Sequence, residues 1–152
     1  MQAIFLLRHG QAEADEGVGG DPQRKLTSAG MAEIGRQAGH LFGLGEGLAH
    51  IYHSPYLRAR ETAIIVARTF PGAKRHNLPA LVPGGEDEQV IAAIAGTLGG
   101  LLLVSHLPLI ARVAHSLCEE AISFRPGTLA KIERADAHHF SGRLRWVRHP
   151  EP

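Results

Sequence analysis

The sequence predicts an α/β fold: a sheet with helices packed on its faces. Short continuous apolar runs read as buried strands, and between them lie longer segments whose apolar residues recur with a helical period. The two kinds of segment alternate along all 152 residues without repeat, linker or low-complexity stretch, so one domain spanning 1–152 is expected.

The first run, Ala3-Ile4-Phe5-Leu6-Leu7, is too short for a membrane span and reads as a strand ending in Arg8-His9-Gly10. Residues 11–25 lack periodicity and are rich in Gly, Asp and Glu, which predicts a loop. Thr27 is the expected N-cap of a helix presenting Met31, Ile34, Ala38, Leu41 and Phe42, which ends at Gly43 to Gly47. A short strand from His50 to His53 precedes Ser54-Pro55, a helix-start signal with Ser capping and Pro in the first helical position. That helix runs to about Phe70, with Ala59, Ala63, Val66 and Phe70 on one face. Asn77 to Gly85 reads as an extended loop. A helix from about Glu86 to Leu98 then buries Val90, Ile91, Ile94, Ala95 and Leu98. Leu101 to Val104 is a central strand covered on both faces, ending at Ser105-His106. Pro108 starts a helix carrying Leu109, Ile110, Val113, Ala114 and Leu117. Thr128 to Arg134 and Arg143 to Arg148 complete the sheet.

Composition is that of a globular chain, 44% hydrophobic and 20% charged, with a net charge of +1. The scattered Lys and Arg, without interleaved aromatics, argue against a nucleic-acid partner. Cys118 is the only cysteine, so no internal disulfide forms; it follows an apolar helix face and reads as a core thiol. Met1 to Leu7 lacks a basic segment and a cleavage site, and no stretch reaches membrane-spanning length, so a cytoplasmic protein without a membrane partner is expected.

Two central strands thus end in a histidine, His9 and His106, at the sheet edge where open α/β sheets bind ligands. Either alone reads as a strand cap; the pair, with Arg8 beside one, points to a site. Arg58 lies one turn into a helix that also begins at a strand end, with Thr62 four residues on along the same face. Alone, Arg58 reads as a solvated arginine with a weak ion pair. Converging, two Arg and two His would bind a phosphoryl dianion and attack its phosphorus, because phosphoryl transfer rests on positioning and charge neutralisation. The ten His show no HExxH or Cys/His ligand spacing, so neither metal nor another cofactor is expected. A cysteine phosphatase needs Cys and Arg separated by five residues, and Cys118 and Arg125 have six between them. No GxxxxGK[ST] loop occurs.

Four segments resemble the histidine phosphatase superfamily, also called phosphoglycerate-mutase-like, in that family's order and spacing. They are Leu7-Arg8-His9-Gly10-Gln11-Ala12, Arg24-Lys25-Leu26-Thr27-Ser28-Ala29-Gly30, Ser54-Pro55-Tyr56-Leu57-Arg58-Ala59 and Val104-Ser105-His106-Leu107-Pro108-Leu109. Within the family the chain looks like the small SixA-type phosphohistidine phosphatases; residues 118–152 match only in general character. The resemblance implies a three-layer fold with a mostly parallel central sheet between helices. It implies His9 as nucleophile, forming a phosphohistidine intermediate, with Arg8, Arg58 and His106 holding phosphoryl oxygens. Gly10 and Arg24 join the substrate-binding set, Arg24 mainly by anchoring its loop. The expected activity is removal of phosphate from phosphohistidine on a phosphotransfer domain of another protein, releasing inorganic phosphate.

Larger ester-cleaving members carry a Glu where this chain has Pro83. Glu86, Asp15 and Glu16 are the remaining candidates for a general acid, although Glu86 also suits a helix N-terminus. An imidazole leaving group titrates near neutrality and needs little acid assistance. Two other readings stay open. One is a small-molecule phosphomonoesterase or mutase, disfavoured because 152 residues leave little room for a lid. The other is a silent phosphate-binding or phosphoprotein-binding module, disfavoured because binding alone does not require both His9 and His106.

Overall fold

Alternation of strand and helix holds in the computed structural model, which describes residues 1–14, 19–139 and 141–151. The strands are β1 (Gln2–Arg8), β2 (His50–His53), β3 (Lys74–Asn77), β4 (Leu101–Ser105), β5 (Leu129–Arg134) and β6 (Arg143–Arg148). The helices are α1 (Ser28–Gly43), α2 (Leu57–Thr69), α3 (Asp87–Ile94) and α4 (Leu109–Cys118). The sheet order is β3-β2-β4-β1-β5-β6, parallel from β3 through β1 and antiparallel at β5 and β6.

The apolar runs take the middle of the sheet because only there are both faces covered. Alternate residues of β1 and β4 feed two cores. Ile4, Leu6, Leu101 and Leu103 pack with Val90 and Ile94 of α3 and Ile110, Val113 and Leu117 of α4. Phe5, Leu7, Leu102 and Val104 pack with Ile34 and Leu41 of α1 and Ala63 and Val66 of α2. The sheet is therefore the middle of three layers. β1 and β4 pair from Ile4↔Leu101 to Arg8↔Ser105, so they end level and deliver His9 and His106 side by side.

Thr27 caps α1, its Oγ1 accepting from Gly30 N at 2.9 Å. A side chain at Gly30 would meet Gln11 O at 2.3 Å, so only glycine lets the first turn of α1 rest on the loop after β1. Several element details differ from the sequence reading. Met31 and Phe42 are 43% and 61% exposed, because the buried stripe runs through Gly30, Ile34, Gln37, Ala38 and Leu41. α2 starts at Leu57 after an extended Tyr56, since the Ser54 hydroxyl serves the site rather than a helix end. α3 ends at Ile94: Ala95 turns extended and Gly96 adopts φ 75°, which leaves Ala95 exposed and Leu98 73% exposed. β3 escaped the hydrophobic pattern because Lys74-Arg75-His76-Asn77 forms a polar sheet edge. Asn77 belongs to β3, and Pro79–Leu81 forms a 3₁₀ turn inside the expected loop. Cys118 is only half buried at the end of α4, where its Sγ donates to Ala114 O. Among the described residues, no helix is long and apolar enough to cross a membrane.

Candidate active site

The chain leaves β1 through a tightly bonded corner. His9 N donates to Ser105 O (3.1 Å), tying the end of β1 to β4, and Gly127 N donates to both Arg8 O and His9 O. Gly10 N donates to Thr62 Oγ1 at 3.1 Å, and that hydroxyl donates to Arg58 O at 2.7 Å. Thr62 therefore welds the His9 corner to the first turn of α2, which explains its spacing from Arg58.

His9 is 6% exposed. Its Nδ1 lies 2.8 Å from Gly10 O, a carbonyl that can only accept, so Nδ1 carries the proton and Nε2 keeps its lone pair. Arg58 Nε donates toward that Nε2 at 3.3 Å. Burial foremost, then the charges of Arg58, Arg8 and Arg24, against the Gly10 hydrogen bond, push the His9 pKa down to about 4. The neutral nucleophile is thus present from neutral pH down to about 4 and is lost as pH falls through that value. In the free protein, the His9 imidazole resonances are expected to titrate near pH 4; a midpoint near 6.5, the ordinary histidine value, would contradict this.

The His106 ring lies 5.0 Å from that of His9 and is 2% exposed. Burial, then His9 and Arg58, depress its pKa to about 3, so it too is neutral. Tyr56 N donates to Ser54 Oγ (3.2 Å), and that hydroxyl lies 2.7 Å from His106 Nε2. Bonded to both Tyr56 N–H and His106 Nε2, the Ser54 hydroxyl fixes the orientation of the His106 ring. Nδ1 is buried and has no hydrogen-bond partner among the described residues.

Arg58 is not a surface residue: it is 5% exposed. Its Nε faces His9, while Nη1 and Nη2 donate to the backbone oxygen and Oδ2 of Asp21 at 2.9 and 3.3 Å. Arg8 donates one Nη to Phe124 O and keeps a buried Nε without a partner among the described residues. Burial and the neighbouring Arg58 lower the Arg8 pKa, and a bound anion would relieve both effects. Arg24 anchors its loop by donating to Glu13 O (2.7 Å) and Asp21 Oδ1 (3.0 Å).

A cleft of about 380 Å³ exposes Arg8, His9, Asp21, Arg24, Arg58 and His106, with Pro83, Leu107 and Pro126 around them. It is large enough for a phosphoryl group and part of its leaving group. A second cavity of about 400 Å³, lined by Glu133, Arg134 and Arg143 among others, offers neither histidine nor thiol. Among the described residues, no group of three His, Cys, Asp or Glu side chains is placed to hold a metal ion.

The cleft brings together Arg8, His9, Arg24, Arg58 and His106 as expected, with Gly10 contributing backbone. Glu86 is exposed at the N-cap of α3 and does not line the cleft, although nearby Pro83 does. Asp15 and Glu16 lie outside the described residues. Asp21 and Ser54 escaped sequence reasoning. Asp21-Pro22 has only the character of a turn, and Ser54-Pro55 reads as a helix cap.

The chain is similar to known proteins in sequence and in fold. Residues 4–81 match the family model described as histidine phosphatase superfamily (branch 1). The phosphohistidine phosphatase SixA of Escherichia coli (strain K12) is 28% identical over 154 residues, covering 97% of this chain and 93% of the relative. The solved structure of the protein histidine phosphatase SixA complexed with tungstate superposes with a TM-score of 0.84 at 27% identity, covering 95% of each chain. Phosphoglycerate mutase from Plasmodium falciparum shares the fold, with a TM-score of 0.69 at 22% identity over 95% of this chain and 89% of that one.

Proposed function

The chain belongs to the histidine phosphatase superfamily (branch 1), and from that premise we propose that it removes phosphate from phosphohistidine on another protein. The single observation that carries the chemistry is the unprotonated His9 Nε2, whose lone pair faces the cleft beside Arg58 Nε. Arg8, Arg58 and His106, which line the cleft, hold the phosphoryl oxygens. His9 Nε2 attacks phosphorus in line, the P–N bond of the substrate breaks, and its electron pair returns to the substrate imidazole, which takes a proton from solvent water and leaves neutral. Water then attacks phosphorus of the His9 adduct, inorganic phosphate leaves, and Nε2 regains its lone pair. Fixed cationic donors around the transferring group supply most of the rate, as phosphoryl transfer requires. None of these steps uses a metal or cofactor, and the protein acts in the cytoplasm as one domain.

The SixA relative, named as a phosphohistidine phosphatase, supports the substrate class, and tungstate in the solved relative supports an oxyanion ligand. The apolar surround of Pro83, Leu107 and Pro126 suits a phosphorylated side chain presented on a protein surface. The reading is tested by comparing kcat/KM on a phosphohistidine-bearing phosphotransfer domain with kcat/KM on a panel of small phosphate esters. The domain is expected to be the better substrate; preference for an ester would overturn the proposal.

The leaving group sets a second expectation. Glu86→Gln is expected to slow phosphohistidine cleavage less than about tenfold, against 10²–10⁴-fold for loss of a general acid. Asp15→Asn and Glu16→Gln are the parallel variants. If one of the three abolishes cleavage while leaving folding and phosphate binding intact, the leaving group needs an acid and ester cleavage becomes the better reading.

A further inference from the structure

We propose that Asp21 is a specificity-determining residue whose carboxylate turns away substrates carrying a further negative charge beside the phosphoryl group. The inference rests on the reading of the cleft as a phosphoryl site. Asp21 opens the 3₁₀ turn Asp21–Gln23 and lines the cleft with its side chain 43% exposed. It touches both cationic flanks: Oδ2 and the backbone oxygen take the far end of Arg58, and Oδ1 takes Arg24. Arg58 is thereby divided, its Nε edge left for the group at His9 and its tip held by Asp21.

A carboxylate is an unexpected wall for an anion site, because it repels the ligand that the arginines attract. Its effect is to set the charge that the cleft accepts. Three guanidinium groups, Arg8, Arg24 and Arg58, face one carboxylate and two neutral histidines. The excess of two positive charges matches a phosphoryl dianion and leaves nothing for a second acidic group. A phosphoryl group on a neutral imidazole meets that condition; a phosphorylated hydroxy acid does not. Asp21 is not placed to act as the missing acid, because Arg24 and Arg58 hold it ionised.

Two non-hydrolysable probes isolate the effect: phenylphosphonate with a para-carboxamide, and phenylphosphonate with a para-carboxylate. Dissociation constants measured by calorimetry for the full chain give one ratio, carboxylate over carboxamide, for each variant. The natural sequence is expected to bind the carboxamide more tightly. Asp21→Asn keeps a side-chain acceptor for Arg58, removes the charge, and is expected to narrow the ratio by about fivefold or more at low ionic strength. The narrowing shrinks as salt is raised, because the repulsion acts across solvent. Asp21→Glu restores the charge and with it the original ratio. If both probes bind and Asp21→Asn weakens them equally, Asp21 is only a clamp for the arginines and the inference fails while the phosphoryl reading stands. If neither probe binds the natural sequence, that reading fails first and the inference with it.

Discussion

His9→Ala is expected to reduce turnover of a phosphohistidine-bearing protein by at least about 10⁴-fold, the scale on which removing a nucleophile acts. Among the described residues of the cleft, His9 is the one whose ring is fixed as a nucleophile, its Nδ1 proton held by Gly10 O; Cys118 sits on α4 outside the cleft with its thiol pKa raised by burial. Phosphate binding is expected to survive, because Arg8, Arg58 and His106 remain. A steady-state assay of phosphate release, paired with calorimetric titration of phosphate, reads both quantities. Near-normal turnover in the variant would remove His9 from the mechanism.

Arg58→Ala is expected to lower kcat/KM by about 10²–10³-fold, the cost of deleting a preorganised donor aimed at developing charge. Arg58 Nε lies within reach of the group on His9 Nε2, and Asp21 fixes the rest of the guanidinium. Arg58→Lys is expected to recover only part of the loss, since an ammonium cannot serve Asp21 and the phosphoryl group through one planar fork. Thermal melts of both variants separate lost chemistry from lost folding. Unchanged kcat/KM in a folded Arg58→Ala variant would show that the guanidinium does not contact the transferring group.

The parts of the site that lie at strand ends were legible in the sequence. Ile4 to Leu7 and Leu101 to Val104 are buried on both faces, so their apolar runs announce central strands, and parallel pairing in level register places His9 beside His106. Arg58 was harder, because one turn into a helix is ordinarily a wetted position. Only the packing of α2 beneath the sheet end, fastened through Thr62 to Gly10, buries it. Ser54 carried the signature of a helix cap, yet the chain stays extended through Tyr56 and its hydroxyl turns to His106. Asp21 gave no signal, since its partner Arg58 lies far along the chain and their meeting depends on how the loop after β1 crosses α2. Glu86 shows the converse: it follows Pro83 closely in sequence, but the start of α3 carries it out of the cleft.

If phosphate passes through His9, the phosphohistidine adduct on its imidazole can be trapped. The protein would be mixed with excess substrate radiolabelled in the phosphoryl group, quenched within milliseconds in alkaline denaturant that preserves P–N bonds, and digested for mass spectrometry. The predicted result is label on the peptide containing His9, on the imidazole, and its absence in His9→Ala. Label found on His106 instead, or turnover with no labelled histidine at any quench time, would rule out His9 as the nucleophile.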